Sequence, residues 1–443
     1  VSRLRAYAAG FTGFERDARR YLLVTLVGGA AISLYWIDFN LYLAAIGVSR
    51  STIGLIATGG SLAGAIIVFP ASRLSDRIGR RLVIAGALGV MSLAMIGLQL
   101  TQAVPAIAVL AAAFSAGTQT IFAIQTPFLA EHSRPEHRSE LFSLQFALQS
   151  LTNVGAALIG GLAAAGVAAA AGLDPNGPAT YRFLLAIMAF LLVAAIGVVA
   201  TLRDDRPSRV RPRQLRAAGE PAEFPVERPG EGSGRRLRLP RPEDPRRFVR
   251  LILPGFLIAI GAGQIIPFLN LFVQRKFGLE LASLNAVFAL TSFGTMAAIL
   301  LQPALARRLG RVGSVVAVQG ASIPFLLVLG FSPVLWTVVI AMAVRNSLMN
   351  AGNPILNAFA MDQVRPTERA TLAATMSILW SIGWVIGGPY YSLTQATLGF
   401  DAGYAVNFLT VIVLYSVATT LYWLWFRDAE PRPGRAAVAA ATD

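Results

Sequence analysis

The apolar positions of this chain fall in blocks about twenty residues long, separated by short polar stretches. A helix needs about 20 residues to cross roughly 30 Å of hydrocarbon, so blocks of this length predict membrane-spanning helices. Twelve are predicted. Six lie at 21–46, 52–72, 82–101, 105–131, 140–166 and 181–202, and six at 248–274, 282–305, 313–331, 334–361, 370–396 and 403–426. The stretch between the two sets, 203–247, is rich in Arg, Pro and Glu, has no apolar periodicity and cannot span a bilayer. The chain therefore divides into a first unit (1–202), a linker (203–247), a second unit (248–427) and a tail (428–443).

Composition agrees with this pattern. Hydrophobic residues make up 55% and charged residues 14%, against roughly a quarter charged in soluble domains. The net charge of +15 would fit a nucleic-acid partner, but its distribution argues otherwise. Arg50, Arg182, Arg275 and Lys276 are placed outside and Arg345 within a span; the other cations all fall on one side of the predicted membrane. That is the positive-inside bias. It predicts a multi-pass protein of the inner (plasma) membrane with both termini cytoplasmic, and it excludes the nucleic-acid class. The basic stretch through Arg20 runs directly into a full-length apolar span, so a retained first helix is expected rather than a cleaved leader. The basic runs of the linker (Arg209, Arg211, Arg213 and Arg235, Arg236, Arg238) can touch anionic lipid or be simply solvated.

Chemistry is sparse. There is no cysteine, which excludes disulfides, thiolate metal sites and thiol catalysis. The two histidines, His132 and His137, share one predicted loop. No nucleophile–base pair, metal cluster or phosphate loop appears. No enzyme activity, cofactor or metal is expected, and a monomer is.

The chain repeats itself 231 residues apart. Leu74-Ser-Asp76-Arg77-Ile-Gly79-Arg80 recurs as Leu305-Ala-Arg307-Arg308-Leu-Gly310-Arg311, and Glu131-His-Ser-Arg134-Pro135-Glu-His-Arg138 as Asp362-Gln-Val-Arg365-Pro366-Thr-Glu-Arg369. Two matches at one offset imply two halves built on one plan, a pattern common among transporters.

Six plus six helices, a long central loop and this repeat resemble the major facilitator superfamily. Arg73-Leu-Ser-Asp76-Arg77-Ile-Gly79-Arg80-Arg81 is similar to that family's signature loop between helices 2 and 3, with Arg73 where a small residue is common. The [Glu/Asp]-x-x-Arg-Pro-x-x-Arg segments match its helix 4–5 and 10–11 loops. The resemblance implies an all-α fold of two pseudo-symmetric six-helix bundles and transport by alternating access. It further implies a cytoplasmic gate. Asp76 would approach the partially positive N-terminus of helix 11 when the cavity faces outward. Arg77, Gly79, Arg80, Glu131 and Arg138 would form the rest of that latch, with Asp362 and Arg369 its counterparts in the second half. The alternative is a solvated loop that sets topology.

Amide side chains are costly in lipid and mark helices that face a cavity or a partner. Span 4 carries Gln119 and Gln125; span 5 carries Gln145, Gln149 and Asn153; span 7 carries Gln264 and Asn270; span 10 carries Asn346, Asn350, Asn353 and Asn357. Span 6 has none, and spans 3, 9 and 12 have one each. In the family fold helices 3, 6, 9 and 12 face lipid. The span 10 amides step by 4, 3 and 4 and share one face. They imply either interhelical hydrogen bonds or a hydrated, substrate-binding path.

Two ionisable residues fall deep in spans. Either costs roughly 2.5–3.5 kcal/mol at mid-membrane on insertion scales, so each needs a partner or water. Asp38 lies between Tyr35 and Tyr42 on one predicted face, an arrangement suited to binding a cation or carrying a proton. It could instead reach the outer surface. Arg345 could hold an anionic group, or pair with a helix carbonyl or with Asp38. Small-residue pairs, Gly60-x-x-x-Gly64 in span 2 and Gly383-x-x-x-Gly387 in span 11, permit close helix approach; by resemblance these helices meet across the halves. Prolines in spans 4, 7 and 10 (Pro127, Pro267, Pro354) predict kinks. Span 5 lacks the proline of the drug-antiporter motif, and Gly387-Gly388-Pro389 stands in span 11 instead.

The expectation is therefore a twelve-helix secondary transporter of a small organic solute, proton-coupled and exporting. Asp38, Arg345, Asn346, Asn350, Gln119 and Gln264 would form its site, with Tyr35, Tyr42, Trp380 and Trp384 as walls. A lipid or lysolipid carrier, an uncoupled facilitator and a transporter-like sensor are the other readings.

Overall fold

The computed structural model describes residues 15–132, 138–203, 243–365 and 368–429; at 130, 138–140, 143, 296–309, 351, 353–354, 358 and 370 it describes backbone alone. Most of the linker, the tail from 430, and Arg134, Pro135, His137 and Pro366 lie outside the described residues. So do the side chains of Arg138, Arg307, Asn353 and Pro354.

The chain is all helix. In order come α1 (Arg16–Ala45), α2 (Arg50–Ile78), α3 (Arg80–Leu100), α4 (Val104–Glu131), α5 (Arg138–Ala171) and α6 (Pro178–Ala200). Beyond the linker, α7 is interrupted: Pro245–Ile265 is α7a and Leu269–Phe277 is α7b, joined by a 3₁₀ turn at Ile266–Phe268. Leu281–Phe331 is broken at Gly310 into α8 (281–309) and α9 (311–331), and α10 is Leu335–Asp362. Arg369–Phe426 is broken at Gly399 into α11 (369–398) and α12 (400–426). Among the described residues nine helices are long and apolar enough to cross a membrane, the run Thr371–Phe426 counting as one of them. This is consistent with the predicted crossings.

The repeat is structural as well as sequential. Among the described residues every positive φ belongs to a glycine, the residue that reaches this region without a Cβ clash. Gly79 ends α2 with φ 99° and Gly310 ends α8 with φ 71°. Gly47 after α1 and Gly278 after α7b have φ 85° and 63°. Each pair stands 231 residues apart, and neither Gly47 nor Gly278 belongs to the motifs that revealed the offset. Gly172 and Gly399 make the equivalent turns before α6 and α12. Below, the end of the bundle carrying Gly79 and Gly310 is called the linker end, and the opposite end the far end.

Amide-poor helices carry large exposed apolar side chains: Leu93 on α3, Phe190 on α6, Leu327 on α9, Val413 on α12. Helices α5 and α10 expose equally large ones, Ile159, Leu162 and Trp336 among them, so exposed apolar surface does not by itself set the amide-poor helices apart. The two halves meet where α5 packs on α8 and α2 packs on α11.

Those contacts revise the role of the small-residue motifs. Gly60 and Gly64 lie against Ser115 and Gln119 of α4, within the first half. Gly383 and Gly387 lie against Ala259 and Gly263 of α7a, within the second. The contact between halves uses Gly388, whose added Cβ would fall 2.0 Å from Thr58 Oγ1 and 3.1 Å from the Gly54 oxygen. One residue along a helix turns the side by about 100°, so Gly387 and Gly388 face different neighbours.

Candidate functional site between the halves

A cavity of about 240 Å³ opens between the halves. Helix α1 contributes Tyr35, Trp36, Phe39 and Asn40; α2 contributes Gly60 and Ser61; α4 contributes Ser115, Thr118 and Gln119. The second half contributes Pro267 from the break in α7 and Trp380, Ser381 and Trp384 from α11. None of the lining residues carries a formal charge.

Five aromatic rings line the cavity, from Tyr35, Trp36, Phe39, Trp380 and Trp384. Tyr35 stacks on Phe114 at 3.9 Å and on Phe39 at 4.5 Å, which fixes its plane. Trp36 meets Trp384 edge-on at 6.2 Å, an aromatic contact that crosses between the halves. Trp384 Nε1 is buried without a hydrogen-bond partner in the protein. The polar groups sit mainly on the first half, at Asn40, Ser61, Ser115, Thr118 and Gln119.

The far end of the cavity is closed by polar contacts from the Trp36–Asn40 turn of α1. Asn40 Nδ2 donates to the Pro267 oxygen at 2.5 Å, and Asn270 Nδ2 donates to the Ile37 oxygen at 2.5 Å. The helix break explains the first: the Leu271 N–H donates to Asn270 Oδ1 at 2.8 Å, which leaves the Pro267 oxygen without that helical donor. The Phe268 oxygen is likewise taken, by the Tyr404 hydroxyl at 3.0 Å. Asn285 of α8 donates to Asp38 Oδ1 at 3.2 Å. Further out, Ser392 donates to the Ser51 oxygen, and Asn176 accepts from Gln274 and from the Leu281 amide. The described hydrogen bonds between the halves cluster at this end.

Asp38 is 1% exposed, and its Oδ2 has no hydrogen-bond partner. It therefore does not reach the surface. It lies behind the cavity wall, between the halves. Arg345 is 4% exposed; it donates to Tyr415 Oη at 2.9 Å and to Asn346 Oδ1 at 3.1 Å, with its carbon 5.7 Å from the Tyr415 ring. Arg345 thus pairs with α12 rather than with Asp38, and it does not line the cavity. Asn346 and Asn350 form a chain along α10 itself, Asn350 Nδ2 donating to the Asn346 oxygen. Gln264 is 1% exposed, and its Oε1 has no partner.

Of the predicted walls, Tyr35, Trp380 and Trp384 line the cavity, as does Gln119. Tyr42 does not. It is buried nearer the far end of α1, where its hydroxyl donates to the Leu98 oxygen of α3 at 2.9 Å. Seven residues turn the face by only about 20° but advance about 10 Å along the axis, so Tyr42 lies two turns beyond Tyr35, where it meets α3 rather than the cavity. The span 5 amides bind within the first half: Asn153 accepts from Ser33, and Gln145 donates to Gln125. Asn285 was not singled out by the sequence. Its signal was slight, an amide one turn into an apolar helix that also carries Gln302.

At the linker end, Arg80 forms a forked pair with Glu131 and lies 3.7 Å from Asp76. Arg311 pairs with Asp362 through Nη1, and Asp362 lies 3.9 Å from Arg369. The Asp76 side chain is 65% exposed.

This architecture, two equivalent helical halves closing one end of a central cavity, is that of a transporter. The family model of the Major Facilitator Superfamily matches residues 21–388, and the chain belongs to that family. No curated protein matches its sequence significantly. Among solved structures, the nucleoside transporter NupG is similar at a TM-score of 0.70 and 12% identity, covering 92% of this chain and 99% of that one. A D-xylose–proton symporter is similar at 0.69 and 13%, covering 94% and 99%. A bacterial homologue of the iron transporter ferroportin, in an inward-facing state, is similar at 0.69 and 13%, covering 93% and 98%. At these identities the likeness is one of fold.

Proposed function

We propose that this protein moves a small, uncharged, ring-bearing organic solute across the membrane by alternating access, driven by a proton gradient through Asp38. The observation that carries the proposal is the pairing of an uncharged aromatic cavity with a buried carboxyl that joins the two halves beside it. A solute's flat face would pack against Trp36, Trp380 and Trp384, and its polar groups would meet Gln119, Ser115 and the free Trp384 Nε1. Asp38 would take up a proton from outside water when the far end opens and release it to the linker-end cavity when the far end is closed. Its protonation is then tied to the conformational cycle, which is what coupling requires.

With the linker end taken as cytoplasmic, from the positive-inside bias, the described state has its outer end closed. Net movement in this reading is solute out and protons in, through a monomer in the inner membrane. Asp76 and its arginine neighbours would close the cytoplasmic end in the opposite state. Most of the polar wall belongs to the first half, and the second half contributes two tryptophans, a proline and a single serine, an asymmetry that also favours a lipid carrier. A volume of about 240 Å³, below the roughly 300 Å³ at which drug-sized sites begin, favours the small solute.

Proteoliposome flux tests this. Nucleosides and D-xylose, after the names of the structural neighbours, give the first panel, assayed with and without an imposed pH gradient. A solute that accumulates with the gradient in wild type and fails to accumulate in Asp38→Asn supports the reading. Flux indifferent to the gradient makes the protein a facilitator and Asp38 structural.

A further inference from the structure

We infer that Asp38 and Asn285 form a proton-operated latch, in which a proton on Asp38 completes a ring of two hydrogen bonds with the Asn285 amide and holds the far end closed. The inference rests on the coupling role proposed for Asp38 and adds its partner and its direction.

One bond of the ring is present: Asn285 Nδ2 donates to Asp38 Oδ1 at 3.2 Å. The other polar atom of each group, Asp38 Oδ2 and Asn285 Oδ1, is buried and has no hydrogen-bond partner. With the carboxyl ionised both atoms are acceptors and cannot satisfy each other. One proton on Oδ2 makes it a donor to Asn285 Oδ1. A carboxylic acid and a primary amide each present one donor and one acceptor along one edge, so the same proton removes the charge and both orphans together.

The position suits a latch. Asp38 belongs to α1 and Asn285 to α8, so the ring spans the halves. Gly161 of α5 makes room for it, since a Cβ there would fall 2.9 Å from Asn285 Cβ and 3.2 Å from Ala282 Cα. The titratable group facing Asp38 from α6 is Tyr181, which accepts from Gln274 of α7b and feels Asp174 from the preceding turn. Helix α7b presents Asn270, bound to the Ile37 oxygen, and α5 presents Gly160 and Gly161. On α1 itself Tyr35 is stacked on Phe114 and Tyr42 is bound to Leu98. Among the described residues no arginine or lysine forms an ion pair with Asp38. Loss of the proton leaves a buried charge with one hydrogen bond, which opening to water relieves.

The test reads the conformation directly. The chain has no cysteine, so spin labels at Ala179→Cys and Ala402→Cys, exposed far-end positions of the two halves, report the gap in nanodiscs without solute. Wild type should hold the short distance at acidic pH and lose it as pH rises, the closed-to-open ratio falling roughly tenfold or more. Asp38→Asn closes the same ring amide to amide and should stay closed at every pH. Asn285→Asp needs a second proton for the ring, and its closure should move to lower pH. A wild-type distance indifferent to pH, or an Asp38→Asn protein that keeps the wild-type response, overturns the latch. If gradient-driven flux persists while the distance ignores pH, the latch falls and the coupling reading stands; if both ignore pH, both fall.

Discussion

Arg80 grips Glu131 through two nitrogens, Nε lying 2.6 Å from Oε2, and the pair recurs 231 residues later as Arg311 and Asp362. Each pair ties the start of one helix to the end of another at the linker end. Partly exposed ion pairs contribute little to stability, commonly about 0–1 kcal/mol. Retention of both pairs therefore points to orientation of the helix ends. Arg80→Ala and Arg311→Ala should each lower the melting temperature of the purified protein only slightly, and the charge-swapped double variant Arg80→Glu/Glu131→Arg should recover most of the loss.

Asp76 is mostly exposed in the described state and lies near Arg80 alone among its described ion-pair neighbours. Its proposed work belongs to the opposite state, with the linker end closed. Asp76→Asn should leave the melting temperature near wild type while shifting labelled protein toward the linker-open form. Labels placed across the linker end would show this, and an unchanged distance distribution would return Asp76 to a solvated loop.

Trp384 offers the cavity both a ring and an unpartnered N–H. Trp384→Phe keeps a ring and removes the donor, so solute affinity should fall about tenfold, the loss of roughly one hydrogen bond. Trp384→Ala should cost more, because the contact with Trp36 goes as well. Tryptophan quenching on solute addition measures both.

Gly387 and Gly388 are neighbours with different duties. A Cβ on Gly387 would fall 2.5 Å from the Gly263 carbonyl carbon and 2.8 Å from the Gln264 nitrogen. Both are backbone atoms that cannot step aside, and overpacking of this kind costs about 1–3 kcal/mol. Gly387→Ala should therefore lower thermal stability, whereas Gly388→Ala, which meets Thr58 of the other half, should act chiefly on the closed far end. Unfolding scans and far-end distances separate the two.

Tyr415 accepts from Arg345 and offers it a ring face. Tyr415→Phe preserves the ring but strands a guanidinium donor, at a cost of about 1–3 kcal/mol. The melting temperature should fall while solute affinity holds, since Arg345 does not line the cavity. A fall in affinity with unchanged stability would instead place Arg345 at the substrate.

Much of the fold was legible along the chain. The hydrocarbon thickness dictates the block length, and the apolar residues obey it. The Gly79–Gly310 offset marks two copies of one plan because a left-handed turn needs glycine in each. Asp38 stood out for the same kind of reason: a carboxyl in a span is too costly to be incidental. What the chain could not disclose is which face meets which helix. Tyr42 shared a predicted stripe with Tyr35 yet packs on α3, and Gly383 and Gly387 serve α7a while Gly388 serves α2. Asn285, 247 residues from Asp38, has no local feature that announces the pairing. Periodicity sets the shape of each helix, whereas the close approach of two halves decides which buried polar atoms are satisfied and which wait for a proton.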